Sequence, residues 1–189
     1  PVFDEEGKMV YNKKNLEMAL EKVTALLAGI GWGESREYQL ILKFILENYA
    51  IPLILDADGI NTLSKMNLDI LKNTKCKVIL TPHIKEFSRL SGYTVDEILN
   101  NPVELAQVFA DKYKVILLLK GTTTIVTDGF KTELVNRGCA GMATAGSGDV
   151  LSGIILGLCG FNDVSIDVVS CGAYINGLAG EMASGGNDI

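Results

Sequence analysis

Short runs of β-branched and leucine side chains recur along the chain, at residues 23–28, 51–55, 77–80, 115–119 and 124–127. Apolar runs of this length without polar alternation are what strands covered on both faces look like. Between the first four lie segments such as 37–49 and 103–113, where apolar residues fall at helical spacing with charges between them. Strand and helix therefore alternate, which predicts parallel strands joined by right-handed crossovers with helices on both faces. In such open sheets ligands bind beyond the carboxyl ends of the strands, where loops and helix N-termini converge.

The pattern changes in the second half. Asp128-Gly129 separates residues 124–127 from residues 131–135, a turn signal that predicts a hairpin and hence a small antiparallel element. From Val150 onward, Leu151, Ile154, Ile155 and Leu158 form one apolar helical face, and residues 164–183 predict a second helix rich in small residues. No internal repeat, low-complexity tract or interdomain linker interrupts the order.

Composition narrows the class. The 189 residues are 48% hydrophobic and 21% charged, an ordinary globular balance, and a chain of this size buries roughly 70% of the surface its unfolded form exposes. One domain over residues 1–189 is expected. The chain opens on Pro1-Val2-Phe3 and stops at Gly186-Asn187-Asp188-Ile189 after a helical stretch, which reads as a fragment. The net charge of −6 and the scattered lysines and arginines argue against a nucleic-acid partner. The four cysteines form no CxxC pair, so a zinc site or dithiol motif is not expected and a reducing cytoplasm fits. No apolar run approaches the roughly 18–20 residues of a membrane helix, and no signal peptide is visible, so no membrane role is expected.

Candidate chemistry sits at the predicted strand ends. The first strand exits into Gly29-Ile30-Gly31-Trp32-Gly33, which permits close backbone approach to a ligand or serves ordinary turns. The second exits into Asp56-Ala57-Asp58, whose carboxylates suit a metal-bridged phosphate, ligand hydroxyls or the cap of a helix near residues 61–65. The third ends at Thr81-Pro82-His83; His83 is the sole histidine, a ligand contact or a structural group, with Glu86 placed to meet a helix N-terminus and Phe87 suited to the core. The fourth ends at Lys120, whose ammonium either emerges at the ligand edge or snorkels, followed by Gly121 and three threonines able to hold phosphate or ribose.

Met142-Ala143-Thr144-Ala145-Gly146-Ser147-Gly148-Asp149-Val150-Leu151 is more pointed. Glycines and small residues let backbone N–H groups turn inward where a helix opens, and the helix adds roughly half a positive charge there. Asp149 beside such an anion hole can accept a proton from an attacking hydroxyl during phosphoryl transfer, although a carboxylate there can also cap the helix. No Gly-Lys-Ser/Thr follows, so this is not a P-loop.

Four segments in order carry a family resemblance: Asp56-Ala57-Asp58-Gly59-Ile60-Asn61, Thr81-Pro82-His83-Ile84-Lys85-Glu86-Phe87, Lys120-Gly121-Thr122-Thr123-Thr124 and Gly141 through Gly153. Together they resemble the ribokinase-like superfamily and, within it, the NAD(P)H-hydrate dehydratases. The resemblance implies a three-layer α/β sandwich with a mostly parallel sheet. It also implies repair of hydrated cofactor: the 6-hydroxyl of NADHX or NADPHX takes a phosphoryl group from ADP or ATP, and loss of phosphate regenerates NADH or NADPH. Asp149 is then the base and also touches the substrate. The nucleotide is then held by Lys120, Gly121, Thr122, Thr123 and Thr124 with Cys139, Ala140, Gly141, Met142, Ala143, Thr144, Ala145, Gly146, Ser147 and Gly148. The hydrated dinucleotide is met by Gly31, Gly33, His83, Ile84, Lys85, Glu86, Phe87, Ser88 and Arg89. Magnesium, a homo-oligomer, and strands before Pro1 with a tail after Ile189 are further expectations of the resemblance. This chain departs from the family pattern in having Lys85 before Glu86, Cys139-Ala140 before the glycine segment, and no Gly-Pro-Gly in its first glycine loop. An alcohol kinase of the same fold and a non-catalytic nucleotide-binding module are the alternatives.

Overall fold

Alternate residues of the central strands feed two different cores, and this period of two builds the layers. The computed structural model describes residues 2–3, 5–7 and 9–185. Strands β1 (Val2–Phe3) and β2 (Met9–Val10) form a small antiparallel pair ahead of helix α1 (Lys13–Leu20). The main sheet begins with β3 (Leu26–Ala28), and α2 (Arg36–Asn48) leads to β4 (Pro52–Leu55). Short helices α3 (Asp58–Leu63) and α4 (Ile70–Asn73) lead to β5 (Lys77–Leu80). Helices α5 (Ile84–Ser91), α6 (Val95–Asn100) and α7 (Pro102–Tyr113) lead to β6 (Ile116–Leu119). The hairpin β7 (Thr124–Thr127) and β8 (Thr132–Val135) is followed by a 3-10 turn (Ala140–Met142), then α8 (Ser147–Phe161) and α9 (Ile166–Ala183).

The six strands lie in the order β3-β4-β5-β6-β7-β8; β3 to β6 run parallel and the last two pair antiparallel. On one face Leu53, Leu55, Val78, Leu80, Leu117 and Leu119 pack with Ile41, Leu42 and Ile45 of α2, Phe87 of α5 and Phe109 of α7. On the other, Ile54, Ile79, Leu118, Val126 and Val135 pack with Leu151 and Ile155 of α8 and Val169 of α9. The result is the expected three-layer α/β sandwich.

Two expected boundaries move. β3 starts at Leu26 rather than at residue 23, because β4, its one neighbour among the described residues, pairs from Leu53 onward and the preceding Pro52 has no amide to donate. The helix expected near residues 61–65 starts at Asp58, and its N-cap is Ala57 with no side-chain cap bond, so neither Asp56 nor Asp58 caps it.

Candidate active site

The carboxyl ends of β3, β4, β5 and β6 lie at one edge of the sheet, and the chain leaving β8 returns to that edge to enter α8. Gly29 makes the first exit possible: at φ +116°, a Cβ there would lie 2.1 Å from the Asp56 carbonyl oxygen and 2.3 Å from the Gly59 nitrogen. Its role is close packing of loop against helix. Gly31 and Gly33 also have positive φ but face open space, and the Gly33 amide donates to Asp58 Oδ2 at 2.7 Å. Asp58 Oδ1 accepts from Asn61 at 3.4 Å, and Arg89 Nε donates to Asn61 Oδ1 at 3.0 Å. Gly33 and Arg89, far apart in sequence, are thus joined through Asp58 and Asn61.

His83 caps α5. Its Nδ1 accepts from the Lys85 and Glu86 amides at 3.1 and 3.2 Å, while the Glu86 carboxylate accepts from the His83 amide at 2.9 Å. An unprotonated Nδ1 is required for this capping box. Burial pushes the His83 pKa below its ordinary 6.5, and the Lys120 and Arg89 charges push the same way against Glu86 and Asp56. The ring is also exposed enough to line the cleft beside Lys120. Glu86 is buried and committed to the cap, and the Ser88 hydroxyl donates to the Tyr93 carbonyl at 2.7 Å. Phe87 is fully buried against Phe109, with ring centroids 5.4 Å apart, so the expectation that it touches substrate gives way to a packing role. Lys85 and Arg89 are exposed, and Ile84 is half-buried.

Beside His83 opens a cleft of about 800 Å³. Lys120, Gly121, Thr122 and Thr124 line it from the sheet, and Cys139, Ala140, Met142, Ala143 and Thr144 from the loop after β8; Ser147 and Gly148 of α8 close it. Three distant parts of the sequence reading thereby share one cavity. The expected contacts Thr123, Gly141, Ala145 and Gly146 lie outside its lining but within the same two loops. Asp149 is exposed on the first turn of α8, next to the lining residue Gly148.

Helix α8 begins with Gly146 at φ 89° and no side chain caps it. The Ser147 N–H donates to the Thr144 carbonyl at 3.3 Å, so the Gly148 and Asp149 N–H groups and the helix's partial positive charge are what remain for an anion. Lys120 Nζ lies nearby, 3.4 Å from where a Gly148 Cβ would stand.

The far wall was not read from the sequence. Arg137, Gly138, Ala173, Asn176 and Gly177 also line the cleft. Arg137 is held by Glu181 at 3.1 Å and by the Tyr174 hydroxyl at 3.2 Å, and Glu181 also accepts from the Gly138 amide at 2.8 Å. A Cβ at Gly177 would stand 2.6 Å from Arg137 Cβ, and one at Gly180 2.2 Å from Met142 Sδ. Small residues in a helix signal close packing without naming the partner.

A mostly parallel sheet ending on a glycine-opened, uncapped helix makes this a ribokinase-like protein. The chain belongs to the NAD(P)H-hydrate dehydratase family, whose family model matches residues 3–188. It is 36% identical over 174 residues to a bifunctional NAD(P)H-hydrate repair enzyme of Moorella thermoacetica, covering 89% of this chain and 32% of that protein. It is 34% identical over 159 residues to an ADP-dependent (S)-NAD(P)H-hydrate dehydratase of Cenarchaeum symbiosum, covering 82% of this chain and 54% of that one. The ADP/ATP-dependent NAD(P)H-hydrate dehydratase of Bacillus subtilis, co-crystallised with ATP and Mg2+, superimposes with a TM-score of 0.77 at 27% identity, over 86% of this chain and 56% of that chain. The chain thus spans from about a third to about half of the length of these relatives.

Proposed function

We propose that this chain carries the phosphoryl-transfer site of an ADP- or ATP-dependent dehydratase that repairs NADHX and NADPHX. The observation that carries the reading is the uncapped N-terminus of α8 closing a cleft with the Lys120 ammonium against its first turn, where Asp149 also sits. The donor's phosphates meet the amides left open at the start of α8 and the Lys120 ammonium, and Gly121, Thr122, Thr123 and Thr124 with the loop 139–148 hold the rest of the nucleotide. Gly31, Gly33, His83, Lys85 and Arg89 form the side that meets the hydrated dinucleotide.

In the reaction Asp149 accepts the proton of the 6-hydroxyl as its oxygen bonds to the donor's terminal phosphorus and the bond to the leaving nucleotide breaks. The C–O bond then breaks with loss of inorganic phosphate and of a proton from the adjacent ring carbon, which restores the reduced nicotinamide. The α8 amides stabilise charge on the transferring group without reorganising.

Among the described residues no group of three or more His, Cys, Asp or Glu side chains could hold a metal ion, so a protein-made magnesium cage does not fit. Magnesium keeps water and substrate phosphates as most of its ligands, so the expected ion is one that arrives on the nucleotide. Among the described residues no helix is long and apolar enough to cross a membrane. The four cysteines are unpaired, which supports a reducing, cytoplasmic setting for the repair reaction.

Asp149→Asn in the full-length protein tests the reading. Turnover of NADHX with ADP or ATP should fall about 100-fold or more, while nucleotide affinity is retained. Unchanged turnover would remove Asp149 from the base's role. A stable phosphorylated alcohol in place of recovered reduced-nicotinamide absorbance would identify a kinase of the same fold.

A further inference from the structure

Beneath the opening of α8 lies a charge that the nucleotide reading does not use. Asp56 follows β4 and is only 2% exposed. Its Oδ1 accepts from Lys120 Nζ at 2.9 Å and from the Ala57 amide at 2.8 Å; its Oδ2 accepts from Ser152 Oγ at 2.6 Å. One carboxylate thus joins the end of β4, the end of β6 and the second turn of α8. Ala57 takes φ 49° and ψ −118°, a conformation an L residue adopts only where its surroundings impose it. A Cβ at Gly148 would stand 3.4 Å from Lys120 Nζ and 3.7 Å from Asp56 Oδ2, so the ammonium and carboxylate lie directly under the helix's first turn.

We propose that Asp56 is the positioning residue of the nucleotide site, holding the Lys120 ammonium against the first turn of α8 so that incoming phosphates meet a cation already in place. The inference rests on the proposed nucleotide site. A free lysine loses side-chain entropy when a ligand fixes it. Lys120 is fixed during folding, with N–H groups to spare for a second acceptor, so that loss does not fall on binding. A buried carboxylate needs such a partner in turn, since an unpaired charge at this depth is strongly unfavourable. Ser152 completes the arrangement by engaging the other oxygen of Asp56, and Thr81 Oγ1 lies 3.4 Å from Ser152 Oγ.

The test is a double-mutant cycle in the full-length protein with Asp56→Asn and Lys120→Met. Calorimetry reads the Kd of ADP and of ATP with magnesium, and kinetics reads the KM of the hydrated dinucleotide. Asp56→Asn is expected to raise the nucleotide Kd about ten-fold or more and to leave the dinucleotide KM within about two-fold. In the Lys120→Met background the same substitution should change the nucleotide Kd less than about two-fold, because the group that Asp56 positions is gone. An Asp56→Asn Kd within about two-fold of wild type overturns the proposal, and so does an equal loss in both backgrounds, which marks a general structural role. Should Asp56→Asn alone not fold, Lys120→Met against the double variant decides, since the double variant leaves neither charge buried without its partner. Wild-type protein that binds nucleotide without restoring NADH refutes the dehydratase reading and leaves the cycle to decide this one. Wild-type protein that binds neither ADP nor ATP refutes both.

Discussion

His83 performs its structural task only while neutral. Its Nδ1 lone pair receives two backbone amides at the start of α5, and burial with the Lys120 and Arg89 charges keeps its pKa below 6.5 despite Glu86 and Asp56. A histidine with a depressed native pKa binds fewer protons folded than unfolded, so stability is lost as pH falls from the unfolded value toward the native one. The melting temperature should therefore drop between about pH 7.5 and pH 5.5, and His83→Asn, which keeps an acceptor for the cap, should flatten that dependence. Thermal scans of both proteins at the two pH values check this. Single residues were only partly legible in the sequence. His83 and Lys120 announce themselves as polar groups ending apolar strands, whereas Asp56 as a cap and Phe87 as a contact failed. Which neighbour a side chain turns toward is decided by strands and helices far away in sequence.

At the scale of elements, helices α8 and α9 were legible from their apolar spacing, but not the use of their glycines. Gly177 lets the chain around Arg137 lie on α9 as a wall of the cleft, where a Cβ would stand 2.6 Å from Arg137 Cβ and 2.7 Å from its carbonyl carbon. Gly157 of α8 faces open space, with nothing within 4 Å of a Cβ. Gly177→Ala should lower stability by about 1–3 kcal/mol through overpacking, while Gly157→Ala should raise it by about 0.5–1 kcal/mol through helix propensity. Denaturant titration of the two variants separates these outcomes. The sequence marks both positions identically, as glycine in a helix; only the neighbouring chain distinguishes them.

Over the whole molecule, alternation of strand and helix foretold the layers, and the Asp128-Gly129 turn signal foretold the hairpin that ends the sheet; the cleft opens at the edge where the parallel strands end. Arg137, Asn176 and Gly177 went unread because neither the chain just after β8 nor the middle of α9 carries a signal in the sequence that ties it to the strand ends and glycine segment where a ligand was sought. A ligand bound in this cleft contacts the sheet, the loop after β8 and two helices at once, and so couples to global unfolding. ADP or ATP with magnesium at about a hundredfold excess over Kd should add about 2.7 kcal/mol to stability, raising the melting temperature by about 5–10 °C. Absence of any nucleotide-dependent shift in thermal scans would speak against the cleft as the nucleotide site. The bond between Ser152 and Asp56 spans 96 positions of sequence. As the chain leaves the ribosome, every described strand of the main sheet is made before the helix that completes the cleft. Until α8 docks, Asp56 and Lys120 have each other but no roof, and on a half-made chain the proposed nucleotide site does not yet exist.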